Sequence, residues 1–119
     1  MELRIKRVYE KAANSDGRRV LLDRLWPRGI RKEDAHIHYW ARDLAVSAEL
    51  RKWFGHDPAR WPEFRKRYRA EIRANKDGIA ALREKVGDAK RVTIVFGARD
   101  EEHNNAVVLC EYLHEHPLD

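Results

Sequence analysis

The chain has a single cysteine, Cys110, so no internal disulfide can form. That usage fits a reducing cytosol. No apolar run approaches the ~20 residues of a membrane span. The start, Met1-Glu2-Leu3-Arg4, has no apolar stretch of signal-peptide type. The expectation is a cytoplasmic protein with no membrane partner. No Gly-rich loop is followed by Lys-Ser or Lys-Thr, and there is no dinucleotide fingerprint. A Walker nucleotide site is therefore unsupported, and no cofactor is expected. Among the histidines, His36 and His38 would share one strand face, and His114 and His116 lie near the end. None has a strong metal spacing and no cysteine pair supports them, so no metal site is expected. Internal repeats, low-complexity tracts and interdomain linkers are also absent.

What remains is short and highly charged. At 119 residues the chain is read as one domain, 1–119. A chain of this size buries roughly two thirds of its unfolded surface and can fold without staples. Lys and Arg number 25 against 20 Asp and Glu, a net charge of +5. That balance permits an anionic small molecule or nucleic acid as partner. Salt-bridged, solvated helices would have much the same composition.

The hydrophobic pattern places the elements. Leu3 to Val8 alternates and reads as a strand. Arg19 to Leu25 has a continuous apolar run and reads as a buried central strand, ended by Pro27 and Gly29. Ser47 is a good N-cap for a short helix with Leu50, Trp53 and Phe54 on one face, closed by Gly55. Asp57-Pro58 precedes a long helix whose Trp61, Phe64, Tyr68 and Ile72 form one stripe. Its other faces carry Arg60, Arg65, Lys66, Arg67, Arg69 and Arg73. A further helix is expected from Asp77-Gly78 to Gly87, then a clear strand from Val92 to Phe96. The last helix is expected to begin near Asp100, with Ala106, Leu109, Cys110 and Leu113 inward. Cys110, about three turns into that helix, reads as buried packing and not as a nucleophile. Strands first, then helices around a late strand, predict an α/β fold: a small, mostly parallel sheet with flanking helices.

Two polar loops follow the apolar strands: Asp23-Arg24-Leu25-Trp26-Pro27-Arg28-Gly29 and Gly97-Ala98-Arg99-Asp100-Glu101-Glu102-His103-Asn104-Asn105. Ligands bind at the carboxyl ends of strands in open α/β sheets, so the two loops are expected to face one cleft. Arg99, entering a helix N-terminus, has a planar fork suited to phosphate or carboxylate. His103 can move protons near neutral pH, and Asn104 can orient a ligand as donor and acceptor. The plainer alternative is that Asp100 caps the helix and the acids sit in its first turn. In the front loop, alternation would place Arg24 and Trp26 on one side, with Asp23 and Leu25 on the other. Arg24 and Arg28 would hold an anion while Trp26 supplies a stacking or apolar wall. The alternative is that Asp23 and Arg24 form ion pairs within the fold and Trp26 is core. His56, in the turn Gly55-His56-Asp57-Pro58, reads as solvated unless a cleft lies close by.

The sequence resembles the YeaO-like family, small bacterial proteins grouped as a domain of unknown function. The matching stretches are Asp16-Gly17 with Val20 to Ile30, Trp40 with Asp43-Leu44-Ala45, Leu50 to Pro58 with Trp61 and Phe64, and Ala98 to Ala106. The resemblance covers nearly the whole chain in the same order. It implies a single, stand-alone cytosolic α/β domain and brings no activity with it. The larger related group typically has a cysteine-bearing segment after its late strand, where this chain has Gly97-Ala98-Arg99-Asp100, which argues against thiol chemistry. Two further departures lie outside the cleft: Val46 stands where Ala-Pro-Ser is usual, and Lys11 where proline is usual.

The sequence therefore points to an anionic ligand, a nucleotide or nucleic-acid component, held by Arg24, Arg28 and Arg99 with Trp26 and Asn104. Asp100 and His103 would be the acid/base pair of any hydrolysis or transfer. The competing reading is a non-catalytic nucleic-acid-binding module that uses the arginine-rich helix face.

Overall fold

The computed structural model describes residues 1–118. Strands β1 (Glu2–Arg7), β2 (Arg18–Leu21), β3 (Tyr39–Trp40) and β4 (Arg91–Phe96) form one sheet in the order β1-β4-β2-β3. Every neighbouring pair is parallel. The helices are α1 (Lys32–Ala35), α2 (Ala48–Phe54), α3 (Trp61–Ala74), α4 (Lys76–Val86) and α5 (Asn105–Glu115). This is the expected α/β fold, and its parallel sheet brings the carboxyl ends of all four strands to one edge.

Each strand's sequence matches its place. The run Val92-Thr93-Ile94-Val95-Phe96 is buried throughout, because β4 lies inside the sheet with both faces covered. At the sheet edge β1 alternates, with Leu3 and Ile5 partly buried between exposed Glu2 and Arg4. On one face, Val20, Leu22, Val92, Ile94 and Phe96 join helix residues in the main core. From α3 come Phe64, Tyr68 and Ile72, buried at a spacing of four, with Phe64 stacked on Phe54 of α2 at 4.2 Å between ring centroids. Each such side chain contributes roughly 1.5–3 kcal/mol through burial. The opposite face is closed by a small cluster of Val8, Leu21 and Val95 under Trp26, Ile30, Ile37 and Trp40.

The caps follow the sequence closely around α2. Ser47 Oγ accepts from the Leu50 N–H at 3.2 Å, and Gly55 ends the helix in the left-handed region at φ 54°. Asp57 caps a 3₁₀ turn, Pro58–Arg60, that leads into α3. At α4 the cap is Asn75, whose Oδ1 accepts from the Gly78 N–H at 2.9 Å, so the helix begins at Lys76 and not at Asp77.

Three further expectations about these elements need correction. First, β2 ends at Leu21 and not at Leu25, because the Asp23 carboxylate accepts the Gly97 N–H at 2.8 Å, where a strand would use a backbone carbonyl. Second, His36, His38 and Trp40 do not share a strand face. His36 is left-handed at φ 51° after α1, and the strand covers Tyr39 and Trp40 alone. Third, α5 begins at Asn105, five residues after Asp100, with Asn104 as its cap.

Cys110 lies on α5 half-buried against the main core, less enclosed than its apolar neighbours predicted. Burial first, and the Glu111 charge second, push its thiol above the ordinary range. Labelling of the native protein by a thiol reagent at neutral pH should therefore be slow against a free-thiol standard. A rate equal to the standard would contradict this packing.

Candidate functional site

At the carboxyl edge of the sheet the ends of β1, β2 and β4 surround a cavity of about 320 Å³, at the small end of the roughly 300–1,000 Å³ usual for ligand pockets. The front loop lines it with Asp23, Arg24, Leu25, Pro27 and Arg28, and the late loop with Gly97, Ala98, His103, Asn104 and Asn105. The two polar loops therefore share one cavity. Its remaining walls are Tyr9 after β1, Val46, Arg51, Phe54 and His56 around α2, and Phe64 of α3.

Asp23 joins the loops. Its Oδ2 accepts from the Gly97 N–H at 2.8 Å and its Oδ1 from Asn105 Nδ2 at 3.2 Å. A side chain at Gly97 would displace this carboxylate, since a Cβ there would meet Asp23 Oδ2 at 2.8 Å. Burial pushes the Asp23 carboxyl above its ordinary range, against the hydrogen bonds from Asn105 and Gly97 and the charge of Arg51. Among the described residues no cation comes within ion-pair distance of it.

The cations stand around it. Arg24 donates through Nε and Nη2 to the Val46 carbonyl, both at 3.3 Å. Arg28 and Arg51 are exposed, and among the described residues neither forms an ion pair. His56 reaches the wall from a left-handed backbone at φ 58°, a conformation costing about 1–2 kcal/mol for a residue with a Cβ.

In the late loop, Asp100 Oδ1 accepts from the N–H groups of Glu102 at 2.9 Å and His103 at 3.0 Å, and Oδ2 lies 2.9 Å from His103 Nδ1. Asp100 thus caps a local turn and orients the His103 ring, which also meets Trp61 edge-on at 5.2 Å. The Glu102 N–H foremost, with the His103 ring, holds the Asp100 carboxyl below its ordinary range. Asn104 is buried, accepting from the Val107 N–H at 3.0 Å and donating to the Asp100 carbonyl at 2.9 Å.

The sequence-predicted residues divide accordingly. Arg24, Arg28, His103 and Asn104 come together at the cavity, with Asp100 behind His103. Arg99 is exposed and outside the lining, because the chain runs through a loop before α5 and does not enter the helix at that point. Trp26 lies on the opposite face of the sheet, edge-on to Trp40 at 5.5 Å, with Nε1 donating to the Ile30 carbonyl at 2.6 Å. Its expected place beside Arg24 assumed a strand through Leu25. With β2 ending at Leu21, Asp23, Arg24 and Leu25 all face the cavity instead.

Asp23, Arg51 and Tyr9 were not singled out as ligand residues. Arg51 had a readable signal, since it stands one helical turn before Phe54 at the edge of the apolar face. Tyr9 follows β1, whose parallel pairing with β4 puts its loop at the same edge.

The charge on α3 is largely committed. Arg60 pairs with Asp57, Arg65 with Glu111, Arg67 with Glu63 and Arg69 with Glu115. A shallower hollow of about 520 Å³ at the opposite sheet edge is lined by Arg18, Lys90 and Arg91. There Arg18 donates to the Lys85 carbonyl, and Arg91 to Glu2 and the Ser15 carbonyl.

Residues 2–118 match the model of a family described as the inactive DUF488-N3 subclade. The chain belongs to this family. It is 42% identical over 111 residues to the uncharacterized protein Rv3073c of Mycobacterium tuberculosis, covering 93% of this chain and 92% of that one. It is 36% identical over 113 residues to the uncharacterized protein YeaO of Escherichia coli, covering 95% and 97%. The YeaO-like resemblance thus extends along nearly the full length. No solved structure matches the chain significantly. In this member of the DUF488-N3 subclade no three His, Cys, Asp or Glu side chains cluster as metal ligands among the described residues. No helix among them is long and apolar enough to cross a membrane.

Proposed function

We propose that this protein binds a small anionic ligand, a nucleotide or nucleic-acid component, in the cavity at the carboxyl edge of its sheet. The observation that carries this reading is the pair Arg28 and Arg51. Both line the cavity and neither has an acidic partner among the described residues, whereas four of the six basic residues of α3 and its leading turn are ion-paired. An anion between the two guanidiniums gains charge-assisted hydrogen bonds at no loss of an existing pair. Arg24 adds a third positive charge, and Arg99, outside the lining, acts on the approach of an anion. The family's description as inactive supports binding without turnover. Any hydrolysis or transfer would fall to Asp100 and His103, where the carboxylate orients the imidazole.

The test is a titration of the protein with pyrophosphate and adenosine 5′-monophosphate, followed by calorimetry and amide NMR shifts. Arg51→Ala should weaken binding at least about tenfold, the ~1.4 kcal/mol scale of one charge-assisted bond, and change stability by no more than about 0.5 kcal/mol. Saturable binding that ignores Arg51 would sink the cavity reading. Tight binding of a single-stranded oligonucleotide that depends on Lys66 and Arg73 but not on Arg51 would put the helix-face reading in its place.

A further inference from the structure

Asp23 is the group that an anion site does not explain. A carboxylate beside a bound anion repels it, and half-burying one with no ion-pair partner carries a standing desolvation cost. Here the carboxylate is part of the cavity wall, and its hydrogen bonds come from two neutral donors, the Gly97 N–H and Asn105 Nδ2, one to each oxygen. A carboxylate oxygen can accept two hydrogen bonds, so each retains one acceptor position. An asparagine could accept from Gly97 with no charge in the wall, giving up only the longer bond from Asn105 at 3.2 Å.

The cavity mouth carries a second unexplained feature. The large apolar or aromatic side chains that are most exposed among the described residues are Leu25, at 59%, Tyr9, at 46%, and Met1. Two of these, Tyr9 and Leu25, line this cavity. Tyr9 is fixed, with its hydroxyl donating to the Arg28 carbonyl at 2.9 Å and the Arg7 guanidinium 5.0 Å from its ring centroid. A ring immobilised in an exposed position is a ready stacking surface. It takes the part that Trp26, on the other face of the sheet, cannot play.

Resting on the anion-binding reading, we infer that the ligand is a nucleoside monophosphate, with its phosphate at Arg28 and Arg51, its ring system against Tyr9 and Leu25, and a sugar hydroxyl or base amino group donating to Asp23. Anion, planar ring and hydrogen-bond donor then each meet a complementary wall. A ligand that covers this half-buried acceptor without supplying a donor would leave it unpaired, so the site favours ligands that carry the donor.

The experiment compares adenosine 5′-monophosphate with inorganic phosphate on wild type and Asp23→Asn by calorimetry. Wild type should bind the nucleotide at least tenfold more tightly than phosphate. In Asp23→Asn that advantage should vanish while phosphate affinity holds or rises, since a repelling charge is gone. An unchanged advantage overturns the inference, and so does an equal loss for both probes, which would make Asp23 structural. On the wild-type protein, adenosine 5′-monophosphate should shift the ¹³C resonance of the Asp23 carboxyl and phosphate should move it less. No shift at saturation with the nucleotide overturns the inference even if Asp23→Asn does not fold. Failure of the underlying reading looks different: both probes bind indifferently to Arg51→Ala, or neither binds wild type at all, and then both readings fall.

Discussion

Asp16→Ala should destabilise the protein by about 3–5 kcal/mol at pH 7 and leave the proposed nucleotide affinity of the cavity unchanged in whatever fraction folds. Asp16 is buried near the amino end of β2, at the sheet edge away from the cavity. Its carboxylate accepts from Arg19 Nη1 at 2.6 Å, Lys6 Nζ at 3.0 Å and the Ala13 N–H at 3.0 Å. Arg19 is itself buried, held otherwise by the Ala35 carbonyl at 3.1 Å from Nε. Removing the carboxylate leaves a guanidinium in the interior with no counter-charge, the costly way to break a buried pair. Against a total stability of about 5–15 kcal/mol, such a loss is decisive. Burial acts to raise the Asp16 pKa, but the bonds from Ala13, Lys6 and Arg19 prevail and hold it below the ordinary value. The ionised form is therefore the one the fold favours. The Asp16 contribution is complete above the unfolded-state pKa, about 3.9, and is lost as pH falls through the lower folded value. Denaturant unfolding at neutral and acid pH checks both parts: the gap between wild type and variant should be full at pH 7 and narrow in acid. A gap below about 1 kcal/mol at pH 7 would show the cluster to be dispensable.

The contrast between Asp16 and Asp23 shows how far the sequence could be read. Elements with a strong period were legible, because burial on one face writes that period into the residues: the stripe Phe64, Tyr68 and Ile72 and the continuous run of β4. Caps were legible where one side chain serves one helix, as with Ser47 and Gly55. The reading failed where side chains took over backbone roles. Asp23 replaces a ladder acceptor and ends β2, which sends Trp26 to the far face and Arg24 to the cavity. Asp100 and its acidic neighbours resemble a capped first turn, yet the carboxylate closes a local turn and the helix waits for Asn104. The meeting of the two polar loops followed from parallel strands alone. Which residues in those loops face inward did not, because that depends on where each strand stops. Asp23 and Asp16 are both aspartates beside turns, and only the folded neighbours give Asp16 two ion-pair partners and, among the described residues, Asp23 none.

Tyr68→Ala should cost about 3–5 kcal/mol and Tyr68→Phe about 1–3 kcal/mol, two losses with different causes. Tyr68 is fully buried at the centre of the α3 stripe, in ring contact with Phe64 at 5.9 Å. Truncation to alanine opens a cavity among Phe64, Ile72 and the sheet residues that the close-packed interior cannot fill. Phenylalanine retains nearly all that volume and removes one atom. That atom is the hydroxyl, which donates to the Leu44 carbonyl at 2.7 Å, and its loss leaves a buried acceptor unpaired. Burial, and behind it the charges of Glu71 and Asp23, push the phenol far above its ordinary pKa, so it acts as a donor at any pH the fold survives. Leu44 stands two residues before Val46, whose carbonyl receives Arg24. The hydroxyl therefore ties the α3 stripe to the chain that seats one cavity arginine. Denaturant unfolding of both variants separates the terms: the difference between them measures volume, and the Tyr68→Phe loss measures the hydrogen bond. On the proposed reading, nucleotide affinity in Tyr68→Phe should stay within about threefold of wild type, because the anion would be held by Arg28 and Arg51 from other elements. A Tyr68→Phe variant as stable as wild type would mean that the Leu44 carbonyl finds another donor and that the link from core to cavity does not depend on this bond.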